Sequence, residues 1–195
     1  MGYHTEFTGR ITVVPPLNEP ERTYLRKFAR SRRMDRDQGP YYVDGRCFDS
    51  LDPTWQEDSD VRDPSRPPAG QPGLFCDWEP TDDGSAIEWN QTEKFYDATQ
   101  WMRYLIDHFL KADATAQGHP GFEHFTFDHV LNGSVDAVGE EEGDEWQLIV
   151  QDNTVTTVGP ERGDPSWMCL GCLRIVESED AACCANAETF PVWPA

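Results

Sequence analysis

The chain has 195 residues, with 16 Lys and Arg against 36 Asp and Glu, a formal net charge of −20 and 37% hydrophobic residues. It contains no apolar run of about 18 residues, so the sequence predicts no membrane span, and its opening MGYHTEFTGR lacks the basic-then-apolar order of a secretion signal. Direct nucleic-acid binding is disfavoured, because phosphate contact needs cations that release counterions, and residues 37–195 carry only 8 basic side chains against 32 acidic ones.

Residues Tyr3 to Val13 alternate polar and apolar, the period of a half-buried strand, and Pro15-Pro16 ends the run. A helix is expected next, with Asn18 as N-cap and Glu21 completing a capping box, continuing to Arg33. Its apolar side would carry Tyr24, Leu25 and Phe28, and its other side a stripe of Arg22, Arg26, Arg30 and Arg33. From Asp35 to Gly73 the pattern dissolves, apart from a short strand expected at Tyr41–Val43, and prolines crowd an acidic loop over 52–73. A hairpin is predicted over Leu74–Trp89, turning at EPTDDG. Asn90 and Glu93 then read as the capping box of one long amphipathic helix reaching Lys111. Three strands in a meander follow at about 130–138, 145–151 and 154–158, giving an α+β domain over 1–158, mainly antiparallel and packed by that helix. Residues 159–195 hold four of the six cysteines and read as a tail or small appendage.

Several of these segments carry a resemblance. MGYHTEFTGRITVVPPLNE at the start, RRM at 32–34, QPGLFCDW at 71–78, DGSAIEWNQTEKFYDATQWMRYLI at 83–106 and LNGSVDAVGEEEGDEW at 131–146 are similar to a family of small bacteriophage and actinobacterial proteins. Phe75 stands where that family commonly has Trp, Asn90-Gln91-Thr92 replaces its usual Asp-Gly-Gly, and the Cys-rich tail has no counterpart in it. The resemblance implies an intracellular accessory protein of phage or prophage origin, and it implies no reaction and no catalytic residues.

Cys169-x-x-Cys172 followed by Cys183-Cys184 could supply four thiolates to a structural zinc, although adjacent cysteines make a poor second knuckle. No other cofactor is expected. Asp107-His108 and Asp128-His129 could orient a base, yet no nucleophile motif accompanies them, and satisfied or exposed histidines are the expectation. The carboxylates Asp82, Asp83, Glu140, Glu141, Glu142 and Asp144 occupy predicted turns. Were these turns at one sheet end, they could bind Mg²⁺ or Ca²⁺; solvated turn residues are the plain expectation, and a partner-facing patch, extended by Glu57, Asp58, Asp60 and Asp63, is the competing one. Trp55 in the polar loop is a candidate partner anchor. The arginine stripe could grip a phosphate of a nucleotide-like ligand, or simply neutralise the molecule's own acidic surface.

The sequence therefore leans away from an enzyme. It favours a cytoplasmic binding protein that modulates a host protein through acidic and aromatic surface. A nucleotide-like ligand on the arginine stripe and a virion component are the alternatives.

Overall fold

The computed structural model describes residues 3–43 and 60–159, together with the backbone of three short strands beyond them. Contacts divide the chain into two units, Met1–Gly159 and Pro160–Ala195.

Unit one is α+β. Its elements in chain order are β1 (Thr5–Val14), α1 (Glu19–Arg30), β2 (Asp35–Arg36), β3 (Val61–Asp63), β4 (Trp78–Pro80), β5 (Ala86–Trp89), α2 (Ala98–Leu105), β6 (Val130–Gly139), β7 (Glu145–Gln151) and β8 (Thr154–Val158). Six strands form a sheet in the order β4-β5-β1-β6-β7-β8, with every neighbour antiparallel. Alternation along the long central pair places Ile11, Val13, Leu131 and Val135 inside, while Thr12, Asn132, Ser134 and Asp136 face out. Gly9 and Gly133 have φ of +120° and +147°, and a Cβ on either would lie 2.6–2.7 Å from a carbonyl oxygen of the neighbouring strand. Only glycine permits so close a backbone approach, at the middle of the β1–β6 ladder.

Helix α1 starts as the sequence predicts. The Asn18 side chain accepts from the Glu21 N–H at 3.0 Å, and Glu21 accepts from the Asn18 N–H at 2.7 Å. It ends at Arg30, three residues before the predicted end, and the Ser31 backbone that follows is extended. Leu25, Phe28 and Ala29 form its buried side.

The single long helix expected from residue 90 is not formed as such. Asn90 instead accepts from the Thr92 N–H at 2.9 Å, and Gln91, Lys94 and Asp97 all have φ near +60°. Left-handed residues cannot sit within a right-handed helix. The helix therefore begins at Ala98 and passes from α2 into a wider π-helical turn, Ile106–Leu110, closed by the Lys111 N–H on the Ile106 carbonyl at 3.2 Å. This stretch contacts β4 at one edge of the sheet and β8 at the other, with Trp101, Met102, Leu105, Ile106, Phe109 and Leu110 almost wholly buried. Two helices, rather than one, pack the sheet.

Other expectations are corrected in the connecting segments. Tyr41 ends a turn and Tyr42 and Val43 are irregular, so no strand forms at 41–43, and the Tyr41 ring packs edge-on against Phe109, His119 and Phe122. Within the stretch read as patternless, β2 and β3 make a small ladder reinforced by Arg36–Asp60 at 3.1 Å. The hairpin strand begins at Trp78 rather than Leu74, whose carbonyl is taken by the Arg33 N–H at 2.8 Å. Phe122, Phe125 and Phe127, in the connector before β6, enter the core without any periodic signal. No helix among the described residues is long and apolar enough to cross a membrane.

Unit two contains β9 (Ser166–Cys169), β10 (Arg174–Val176) and β11 (Thr189–Val192) in an antiparallel sheet of order β10-β9-β11.

Candidate functional site

Two loops that lead into neighbouring elements line one hollow of unit one. The 72–77 loop runs into β4, and the 92–97 loop runs into α2; together with Pro67 they enclose a cleft of about 600 Å³. Its lining is mainly apolar, from Pro67, Pro72, Leu74, Phe75 and Tyr96, and it lies in the size range of ligand pockets. Phe75 and Tyr96 are 47% and 52% exposed, an unusual placement for two large rings on one hollow. The Arg32 guanidinium lies 5.5 Å from the centre of the Phe75 ring.

The wall at 91–97 is conformationally costly. Three non-glycine residues in seven adopt the left-handed region, each at an expense tolerated only where the surroundings fix it. One consequence concerns Asp97. An N-cap aspartate normally accepts from the first-turn N–H groups, but here the side chain makes no capping bond. Its carboxyl remains at the cleft, with its pKa raised by partial burial.

Polar groups are few. Asp77 is only 4% exposed, and its carboxylate meets the Asn90 amide at the long distance of 3.5 Å. Burial, opposed by that bond, raises its pKa to about 6. Trp101 is fully buried, and its indole Nε1–H has no hydrogen-bond partner among the described residues. That nitrogen lies 3.7 Å from where a Cβ on Gly73 would sit, and an Asp97 carboxylate oxygen lies 3.6 Å from the same point. The missing side chain of Gly73 thus leaves a donor and an acceptor facing one small space.

The residues singled out from sequence lie elsewhere. Arg22, Arg26 and Arg30 share one side of α1, and all three grip the β4–β5 hairpin. Arg22 donates to the Asp82 carbonyl, Arg26 to the Asp82 carboxylate at 2.7 Å, and Arg30 bidentately to Glu79 at 3.0 and 3.2 Å. Arg33 does not belong with them. It lies beyond the helix, 3% exposed, over the Phe28 ring at 4.1 Å. Arg30 in this pair is largely exposed although Glu79 is mostly covered, so Arg30→Gln is expected to change stability by less than about 1 kcal/mol in urea unfolding.

The two acidic turns do not meet. Ala86 pairs with Thr12 near the C-terminal end of β1, whereas Gly139 pairs with Thr5 at its N-terminal end. Asp82 and Asp83 therefore lie at the opposite end of the sheet from Glu140, Glu141, Glu142 and Asp144, so the shared cation site that both turns at one end would have allowed is not assembled. Asp83 accepts from Thr81 and from the Ser85 backbone and hydroxyl, which holds its pKa down to about 2. Asp144 accepts from the Tyr3 hydroxyl. No group of three or more His, Cys, Asp or Glu among the described residues is arranged to hold a metal ion. Trp55, Cys172, Cys183 and Cys184 lie outside the described residues, and only the backbone of Cys169 is described, so the zinc expectation falls outside them as well.

Both histidines flagged beside aspartates have intramolecular partners. His108 Nδ1 lies 2.7 Å from the Tyr41 hydroxyl and its ring stacks on Tyr104 at 3.8 Å; burial lowers its pKa. His129 is held by Pro15 and Glu21. Sequence reasoning missed the cleft because it assigned 74–78 to a hairpin strand and 90–97 to the start of a helix, whereas β4 begins at Trp78 and α2 at Ala98. The one available signal was the turn-rich NQT between a strand and a helix. No family model matches the chain, and neither a curated protein nor a solved structure matches it significantly.

Proposed function

We propose that the chain is a non-enzymatic binding protein of phage or prophage origin, acting in the host cytoplasm, which seats an apolar anchor of a host protein in the cleft between the 72–77 and 92–97 loops. The observation that carries this reading is the pairing of a 600 Å³ apolar hollow with two half-exposed aromatic rings at its wall. Interfaces concentrate their energy in such anchor-and-pocket features, enriched in aromatic residues. The acidic remainder of the surface favours a basic partner and fast, salt-sensitive encounter. Segments 71–78 and 83–106, which carry much of the family resemblance, supply nearly all of the lining. The commitment of His108 and His129 to internal partners, away from the cleft lining, weighs on the side of binding rather than catalysis.

Phe75→Ala and Tyr96→Ala remove exposed rings, so each is expected to leave unfolding unchanged to about 0.5 kcal/mol. Each should weaken capture of the partner by roughly tenfold or more, the scale of a modest hot spot. Capture from host lysate that is equal for wild type and the double variant would overturn the assignment of this surface.

A further inference from the structure

The lining of the cleft combines apolar walls with an unbalanced set of charges. Asp77, Glu93 and Asp97 stand against Lys94, and no ion pair within 4 Å joins any of them among the described residues. An almost buried carboxylate with a single long hydrogen bond is under-satisfied, since a carboxylate has about four acceptor sites and loses its hydration on burial. The unpartnered indole N–H of Trp101 is under-satisfied in the complementary sense, because it needs an acceptor. Beside it lies Gly73, which carries no side chain and belongs to the cleft lining.

From these features we infer that the occupant of the cleft is an extended peptide segment in which a lysine or arginine adjoins an apolar side chain. The basic side chain reaches Asp77, assisted at the rim by Asp97. The apolar neighbour lies between Phe75 and Tyr96, and a backbone carbonyl of the segment accepts from the Trp101 indole in the space beside Gly73. A purely apolar occupant would leave Asp77 and the indole as they are. An anionic one would add repulsion from three carboxylates. This inference rests on the cleft being the binding surface and adds the chemistry of what it reads.

The test uses three dye-labelled, capped peptides, Ac-Gly-Phe-Lys-Phe-Gly-NH2 and the same sequence with norleucine or glutamate for lysine, titrated into the full chain by fluorescence anisotropy at low salt. The lysine peptide is expected to bind at least about tenfold more tightly than the norleucine peptide, with the glutamate peptide weakest. Asp77→Asn should erase most of the lysine preference. Gly73→Ala, whose new Cβ would make ordinary contacts at 3.6–3.7 Å and so is compatible with folding, should weaken lysine and norleucine peptides alike. Equal binding of lysine and norleucine peptides, reduced by Phe75→Ala, would overturn the basic-segment inference while leaving the cleft as an apolar anchor site. A lysine preference untouched by Asp77→Asn would also overturn it, by moving charge recognition elsewhere. Absence of binding by all three peptides would overturn both this inference and the peptide-seating role of the cleft.

Discussion

Glu21→Ala is expected to destabilise unit one by about 3–5 kcal/mol, the cost of removing one member of a buried ion pair and leaving the other uncompensated. Glu21 and His129 are 0% and 1% exposed, and His129 Nε2 lies 3.2 Å from a Glu21 oxygen. The same oxygen accepts from the Thr126 N–H at 2.7 Å and its hydroxyl at 3.0 Å, while the other closes the capping box of α1. His129 Nδ1 completes the network on the Pro15 carbonyl at 2.7 Å. One carboxylate therefore fastens the start of α1 to the segment that enters β6. Alanine would release all of these donors inside a buried site, leaving them without their acceptor. A Glu21/His129 double-mutant cycle should show coupling of about 0.5–3 kcal/mol.

The pair also sets a pH signature. Burial opposes charging of His129, but the bonds to Glu21 and Pro15 outweigh it and raise its pKa above the ordinary 6.5. This contribution is complete below about 6.5 and is lost as pH rises through the raised value. For Glu21, burial likewise opposes the charged form, and the bonds from His129, Thr126 and Asn18 prevail, holding its pKa below the ordinary 4.5. That contribution is complete above about 4.5 and is lost as pH falls through the lowered value. The stability gap between wild type and Glu21→Ala should thus be widest between pH 4.5 and 6.5 and narrow on either side. Urea unfolding at pH 3, 5.5 and 9 measures it; a gap that widens steadily to pH 9 would remove the ion-pair account.

What the sequence discloses of this fold follows locality. Strands β1, β6, β7 and β8 were legible because a one-sided sheet imposes period two on residues adjacent in the chain. The α1 cap was legible because its two partners stand three residues apart. The second use of Glu21 was not, since His129 and Thr126 lie more than 100 positions away and nothing near residue 21 encodes them. Asn90-Gln91-Thr92 illustrates a local ambiguity, because an asparagine followed by polar residues fits both a helix cap and a non-helical turn. Here the turn prevails, tertiary packing fixes three left-handed residues, and the cleft exists because the helix starts late. The acidic turns were located correctly as turns. Their separation follows from strand direction, which composition does not record.

Arg33→Lys is expected to cost about 2–3 kcal/mol and, in the same variant, to weaken ligand capture by the cleft. Periodicity placed Arg33 on a solvent-facing stripe, but α1 ends at Arg30 and the chain turns inward. The buried guanidinium then donates to Ser31 Oγ at 2.8 Å, the Tyr42 carbonyl at 2.9 Å, the Pro40 carbonyl at 2.6 Å and Gln71 at 3.3 Å. No carboxylate lies within 4 Å of it among the described residues, and burial lowers its pKa. A planar fork can satisfy acceptors in several directions at once, whereas an ammonium on a flexible stem cannot reach them all and leaves buried carbonyls unpaired. Gln71, held in turn by Arg33, Pro40 and Tyr104, immediately precedes Pro72 and Gly73 of the cleft wall, and the Arg33 N–H holds Leu74 of the same wall. Loosening the guanidinium should therefore be felt as faster amide exchange over residues 71–75 and as weaker binding. Arg33→Met preserves much of the stem's contact with Phe28 and discards the charge. If methionine is tolerated better than lysine, the desolvated charge is the expensive part of the site; if both lose equally, the hydrogen-bonding fork is what secures the wall.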